Sequence, residues 1–122
     1  MQGEKQRTIE AGLLLARTIM DRYLDKSWRV RVNQRYRKTY GTCDYRNRLI
    51  ELNKWLLQYA TTFHLSQLIL HEVAHALTPN TGHSVAFRKK CKEINCYTIY
   101  QQFAWKMSYC FPDKKEASLL LE

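Results

Sequence analysis

The chain has few of the residues that divide a polypeptide into separate units. Among 122 residues there are two prolines and four glycines. They form no linker, and there is no repeat or low-complexity tract. One domain spanning residues 1–122 is therefore expected. No apolar run approaches the roughly 18 residues of a membrane span, so no membrane partner is expected. No secretory signal is expected either. Leu13-Leu14-Leu15-Ala16 is too short for the apolar core of one and lies inside a charged, periodic segment. CxxC spacing is absent too: Cys43, Cys91, Cys96 and Cys110 stand apart. Their thiols read as free or metal-bound in a cytoplasmic or nuclear (nucleoid-associated) protein that is not secreted, and Cys91, Cys96 and Cys110 read as buried thiols rather than a second metal site. Acidic residues are scarce, 11 against 20 lysines and arginines, for a formal net charge of +9. A surplus of that size favours polyanionic partners, nucleic acid first.

What is present alternates between two periods. Ile9, Leu13, Ala16, Met20 and Tyr23 follow a helical rhythm, predicting an amphipathic helix over 5–25. From Trp28 to Asn33 apolar and polar residues alternate strictly, which predicts a half-buried strand. Residues 35–46 read as a hairpin or a strand with a loop, and 48–52 as a second strand. Residues 55–59 read as a short helix or turn. The clearest helix is 65–77, capped by Thr61 or Thr62 and ended by Pro79. Pro79-Asn80-Thr81-Gly82 has turn chemistry. Ser84 then caps a further helix with Phe87, Cys91 and Ile94 on its apolar face. Alternation from Tyr97 to Cys110 is too weak to assign. The order of helix, small sheet, helix, turn and helix predicts an α+β fold with an antiparallel sheet.

The sharpest chemistry lies in His71-Glu72-Val73-Ala74-His75. Residues four apart share one helix face. Two imidazoles so placed can reach one ion at about 2.0–2.1 Å each. Glu72, turned about 100° from His71, can flank the ion without binding it. That is the position for a base acting on water activated at the metal. A catalytic zinc takes three protein ligands, and His83, just past the turn, is the third candidate. His64, seven residues before His71, reads as a surface or packing residue. The plainer alternative is an ordinary helix with two polar histidines; a Gly-His pair just after a helix-ending turn weighs against it. A purely structural zinc site would more often hold four ligands, many of them cysteine. One Zn2+ per chain is expected. Tyr97, Tyr100 or an arginine near the cleft would support the developing oxyanion.

The stretch from Trp28 to Phe87 resembles the SprT-like metalloproteases, which include bacterial SprT and the eukaryotic Spartan protease. The matching residues are Trp28 and Val30, then Arg35 and Arg37 before Gly41 and Cys43. Arg48, Ile50, Leu52 and Leu70 lead into His71–Ala76, and Gly82-His83 and Phe87 follow. The resemblance implies a zincin-like core, zinc at His71, His75 and His83, and Glu72 as the catalyst. It also implies a strand beside the cleft that pairs with substrate backbone, and protein substrates attached to DNA. After His83 the family usually continues Gly-Pro-Glu-Phe, where this chain has Ser84-Val85-Ala86-Phe87. No C-terminal zinc ribbon is recognisable.

Basic residues offer a route to DNA, single-stranded or distorted. Arg29 and Arg31 share the polar face of the first strand. Arg35, Arg37 and Lys38 follow, interleaved with tyrosines, and Arg88, Lys89 and Lys92 form a second cluster after His83. Cations beside aromatics suit a phosphate track with base stacking. The plainer alternative is two solvated faces. Two functions are therefore expected to compete: a zinc endopeptidase acting on DNA-bound proteins, and a non-enzymatic basic module retaining a metal-stabilised scaffold.

Overall fold

The computed structural model describes residues 7–37 and 39–97. Helix α1 (Ile9–Tyr23) begins where the Thr8 hydroxyl accepts the Ala11 N–H at 3.0 Å. That cap satisfies one of the helix's otherwise unpartnered amide groups. The helix is thus shorter than the expected 5–25, since Thr8 and Leu24 both have extended backbone. Strands β1 (Arg29–Asn33), β2 (Gly41–Asp44) and β3 (Leu49–Asn53) follow. After them come α2 (Lys54–Tyr59), α3 (Thr62–Leu77) and α4 (Val85–Glu93). The weakly patterned segment after Tyr97 lies outside the described residues.

The α+β expectation holds, but the sheet is mixed rather than antiparallel. Its order is β1-β3-β2, with β3 antiparallel to β2 and parallel to β1. Burial explains the arrangement. Leu49, Ile50 and Leu52 make β3 the most apolar strand and it takes the centre, whereas β1 alternates exposed and partly covered positions. Residues between β1 and β2 carry the chain past β3, and a tight hairpin returns it. In that hairpin Asp44 accepts the Asn47 amide N–H at 3.1 Å, and Arg48 takes a left-handed φ of 51°. Strand β2 is left at one edge.

The core lies between the sheet and the helices. Ile50, Leu52, Leu56, Leu57, Leu65, Ile69, Val73, Ala16 and Met20 are almost fully buried. Each large aliphatic side chain among them contributes roughly 1.5–3 kcal/mol. Buried residues occur along nearly the whole length of α3, from Leu65 to Ala76, so it forms the rigid centre of the molecule. Helices α1 and α2 approach closely at Gly12, where an added Cβ would stand 2.7 Å from the Leu57 carbonyl oxygen. In an open helix Gly→Ala would stabilise by about 1 kcal/mol. At this crossing the backbone oxygen cannot yield, so Gly12→Ala is expected to destabilise by roughly 1–3 kcal/mol. Equal or greater stability in a urea titration would contradict that reading of the contact.

Helix α4 ends in a way that accounts for two cysteines. Asn95 adopts a left-handed φ of 64°. The Cys96 N–H reaches the Cys91 carbonyl at 2.8 Å and the Asn95 N–H reaches Lys92 at 3.3 Å. This paired bonding is a Schellman motif, which is usually closed by an apolar contact between its first and last residues. Those residues are Cys91 and Cys96, both buried, and the Cys96 thiol donates to the Gln67 carbonyl at 3.7 Å. Gln67 of α3 fastens this turn, its amide donating to the Asn95 carbonyl and accepting the Tyr97 N–H. Helices α3 and α4 are thereby fastened together at one end.

Candidate metal centre

Helix α3 is bounded by threonines. Thr61 accepts the His64 N–H at 3.2 Å, and its hydroxyl also pairs with His64 Nδ1 at 2.7 Å. His64 therefore belongs to the cap. At the other end the Thr78 hydroxyl donates to the Ala74 carbonyl at 2.7 Å, and Pro79 prevents continuation. Asn80 and Gly82 then take left-handed φ values of 64° and 56°. Thr81 donates to the Thr78 carbonyl, and the Ser84 N–H reaches the Thr81 carbonyl at 3.2 Å. This turn reverses the chain and returns His83 to the face of α3 that carries His71 and His75.

The three imidazoles converge through like atoms. His83 Nε2 stands 3.3 Å from His71 Nε2 and 3.2 Å from His75 Nε2. One ligand atom from each lies within 4.8 Å of the others. A neutral imidazole nitrogen offers either one proton or one lone pair, so His83 Nε2 cannot satisfy both neighbours well. A shared electrophile resolves the conflict. With nitrogen–metal distances of about 2.0–2.1 Å, tetrahedral ligands sit about 3.3 Å apart, which is the spacing found. The donor set therefore fits a zinc ion.

Electrostatics supports the same chemistry. Burial, together with the nearby His75 and His83, lowers the His71 pKa to about 3. Burial and His83 lower that of His75 to about 4. Both rings are neutral at pH 7, the form that binds metal without first losing a proton. Glu72 is buried on the adjacent side of α3, and burial, with a smaller effect from Cys96, pushes its pKa up to about 8. In the metal-free chain that carboxyl is mostly protonated at pH 7; a dication held beside it would lower its pKa toward the carboxylate that a base requires. Gly41 faces it across the cleft: a Cβ there would meet Glu72 Cγ in ordinary contact at 3.5 Å, and the tight approaches are to Leu52 Cδ2 at 3.1 Å and the Glu51 carbonyl oxygen at 3.2 Å.

The histidines and Glu72 line an open cleft of about 630 Å³. Its other wall is β2 with the turn after it, Gly41 to Arg46, and its far end is the Thr78–Gly82 turn. The sequence pattern did not single out Asp44 or Thr78, and it marked Tyr45 only as an aromatic among the basic residues. Their signal was faint, since only their place on an edge strand or helix end brings them to the cleft. Tyr97 is elsewhere, exposed and donating its hydroxyl to Asn95 Oδ1 at 2.8 Å. Tyr100 lies outside the described residues. Arg46 is the arginine that lines the cleft. Arg29, Arg31, Arg35, Arg37, Arg88, Lys89 and Lys92 are all exposed, and none of them lines it. Arg31 is paired with Glu51 at 2.9 Å, and Arg88 donates to the His83 carbonyl at 3.4 Å. Lys38 lies outside the described residues.

Among the described residues no helix is long and apolar enough to cross a membrane. No curated protein sequence matches the chain. Two solved structures share its fold. The metallopeptidase zymogen abylysin of Pyrococcus abyssi superposes with a TM-score of 0.62 at 16% identity, covering 84% of this chain and 93% of its own. The metallopeptidase zymogen jannalysin of Methanocaldococcus jannaschii gives 0.62 at 15%, covering 85% and 97%. A sequence model of the SprT-like family matches residues 12–109, taking in the sheet, the cleft and all three histidines. The chain belongs to the SprT-like family.

Proposed function

We propose that this protein is a zinc-dependent endopeptidase with one zinc held by His71, His75 and His83 and with Glu72 as its base. The observation that carries the reading is the convergence of three Nε2 atoms beside a buried carboxyl, in a cleft walled by a sheet edge. Zinc at such a site supplies a Lewis acid and lowers the pKa of water toward 7. Glu72 takes the proton from the attacking water and delivers it to the leaving amine. Strand β2, an edge of the sheet among the described residues, aligns an extended substrate through backbone hydrogen bonds, which gives little side-chain selectivity. Arg46 lines the cleft, which supports it as the arginine that steadies negative charge developing on the scissile carbonyl. Family membership and the two metallopeptidase folds agree with this chemistry.

The substrates are proteins bound or crosslinked to DNA. The net charge of +9 and the exposed Arg29, Arg35, Arg37, Arg88, Lys89 and Lys92 support that class. The test is cleavage of an unstructured protein, free or crosslinked to single-stranded DNA, across a salt series. Zinc-loaded protein should cut both, a chelator should stop it, and added zinc should restore it. The crosslinked form should be cut faster at low salt, with the advantage falling steeply as salt rises. Failure to cut either substrate would end the peptidase reading. Equal rates on the two at low salt would remove DNA from it.

A further inference from the structure

We propose that Phe87 is a positioning residue for the metal centre, a single aromatic floor that sets the planes of all three histidine rings. The inference rests on the zinc reading of those histidines. Phe87 occupies the first turn of α4, where its N–H meets the Ser84 hydroxyl at 3.4 Å. It is 4% exposed. Its ring stacks on His75, with centroids 4.3 Å apart and planes at 25°. The same ring meets His71 at 5.0 Å and 70°, and His83 at 5.0 Å and 64°. One side chain thus touches three rings drawn from two different parts of the chain.

An ordinary core phenylalanine fills volume, and a leucine could replace much of it. The geometry here asks for more. An imidazole turns about two side-chain bonds, and its Nε2 reaches a common point only when both are set. His71 and His75 are held on a rigid helix, but His83 is exposed on a turn. A flat, nearly incompressible surface under all three limits each ring to the tilt that points its Nε2 inward. Aromatic faces also carry partial negative charge, which favours an imidazole that becomes electron-poor on binding a cation. Helix α4 adds a second restraint through the bond from Arg88 Nε to the His83 carbonyl. The element after the turn therefore shapes the site from beneath as well as closing it.

The experiment compares Phe87→Leu, Phe87→Tyr and Leu57→Ala, the last removing a fully buried side chain that lies against Gly12 of α1. Three quantities are measured: zinc affinity by competition with a chromophoric chelator, the visible spectrum of the Co2+ form, and the thermal midpoint of the metal-free protein. Phe87→Leu should weaken zinc binding by about tenfold or more and alter the Co2+ bands. Phe87→Tyr, which keeps the ring, should retain both. Leu57→Ala should lose stability yet keep wild-type affinity and spectrum. If Phe87→Leu does not accumulate in folded form, Phe87→Met takes its place with the same expectation. Wild-type affinity and spectrum in the ring-less variant would overturn the proposal, as would an equal loss in Leu57→Ala. Absence of zinc binding by the wild type would instead overturn the metal reading, and this inference with it.

Discussion

Glu72→Gln should abolish peptide cleavage and leave zinc bound. The substitution keeps the size and the acceptor oxygen of the side chain but removes its capacity to take a proton. General acid–base catalysis contributes roughly 10²–10⁴-fold to rate, about 3–5 kcal/mol of barrier, and the loss should fall in that range. Glu72 is absent from the converging donor set, so metal content should remain at the wild-type value. A variant that cuts at the wild-type rate would show that the buried carboxyl is not the base. The comparison also separates the two functions left open by the sequence, since a non-enzymatic module would show no activity for the substitution to remove.

The same variant gives a second result in the metal-free protein, with its sign set by burial. The Glu72 pKa rises from an ordinary 4.5 to about 8 in the folded chain. A raised folded pKa contributes stability that is fully present below pH 4.5 and is lost as pH climbs through 8. Glutamine has no such dependence. The stability of Glu72→Gln relative to wild type should therefore grow across that window, by about 1 kcal/mol per pH unit. His71 and His75 act on the acid side, with folded pKa values of about 3 and 4 against an ordinary 6.5. Their contribution is present above pH 6.5 and is lost as pH falls toward those values, equally in both proteins. Denaturant titrations at several pH values would show the difference, and parallel curves would mean that Glu72 is not desolvated.

How much of this was readable in advance follows from which interactions are local. The spacing of His71 and His75, the Thr61 and Ser84 caps and the Pro79 stop all act within a few residues, and the structure bears them out as structural features. The alternation at Trp28–Asn33 marked β1, because one face of that strand is covered and the other is not. Pairing between strands is different in kind. That β1 runs parallel to β3 depends on β3 being buried enough to take the centre, a competition among distant segments that no local period reports. The cleft wall was legible only in part for the same reason: the resemblance implied a strand beside the cleft, but that this strand is β2, with Asp44, Tyr45 and Arg46 at its end, depends on the pairing. Cys91 and Cys96 were read as buried thiols, as found, but their pairing depends on the left-handed Asn95, which shows only in the backbone.

His83→Ala carries the other large effect. Zinc affinity should fall by more than about 100-fold, because loss of a group supporting a ligand already costs 10–100-fold and here a ligand itself is removed. His71 and His75 would remain, and two imidazoles on one helix hold a metal far less well than a closed set of three. The fold should hardly change. His83 is exposed, the turn that carries it is fastened by Thr78, Thr81 and Ser84, and Arg88 bonds to its backbone carbonyl rather than to its ring. Metal-free stability should therefore stay within about 0.5 kcal/mol of wild type. That pairing of a large loss in metal with a small loss in stability sets a ligand apart from a residue that merely supports the fold. Metal content after dialysis against a weak chelator, read beside the thermal midpoint of the metal-free protein, decides it. Full retention of zinc would mean that His83 converges on its neighbours without binding, leaving the site two-coordinate from the protein. Collapse of the metal-free protein would mean that the ring holds the turn together, and the loss of metal would then follow from the loss of structure.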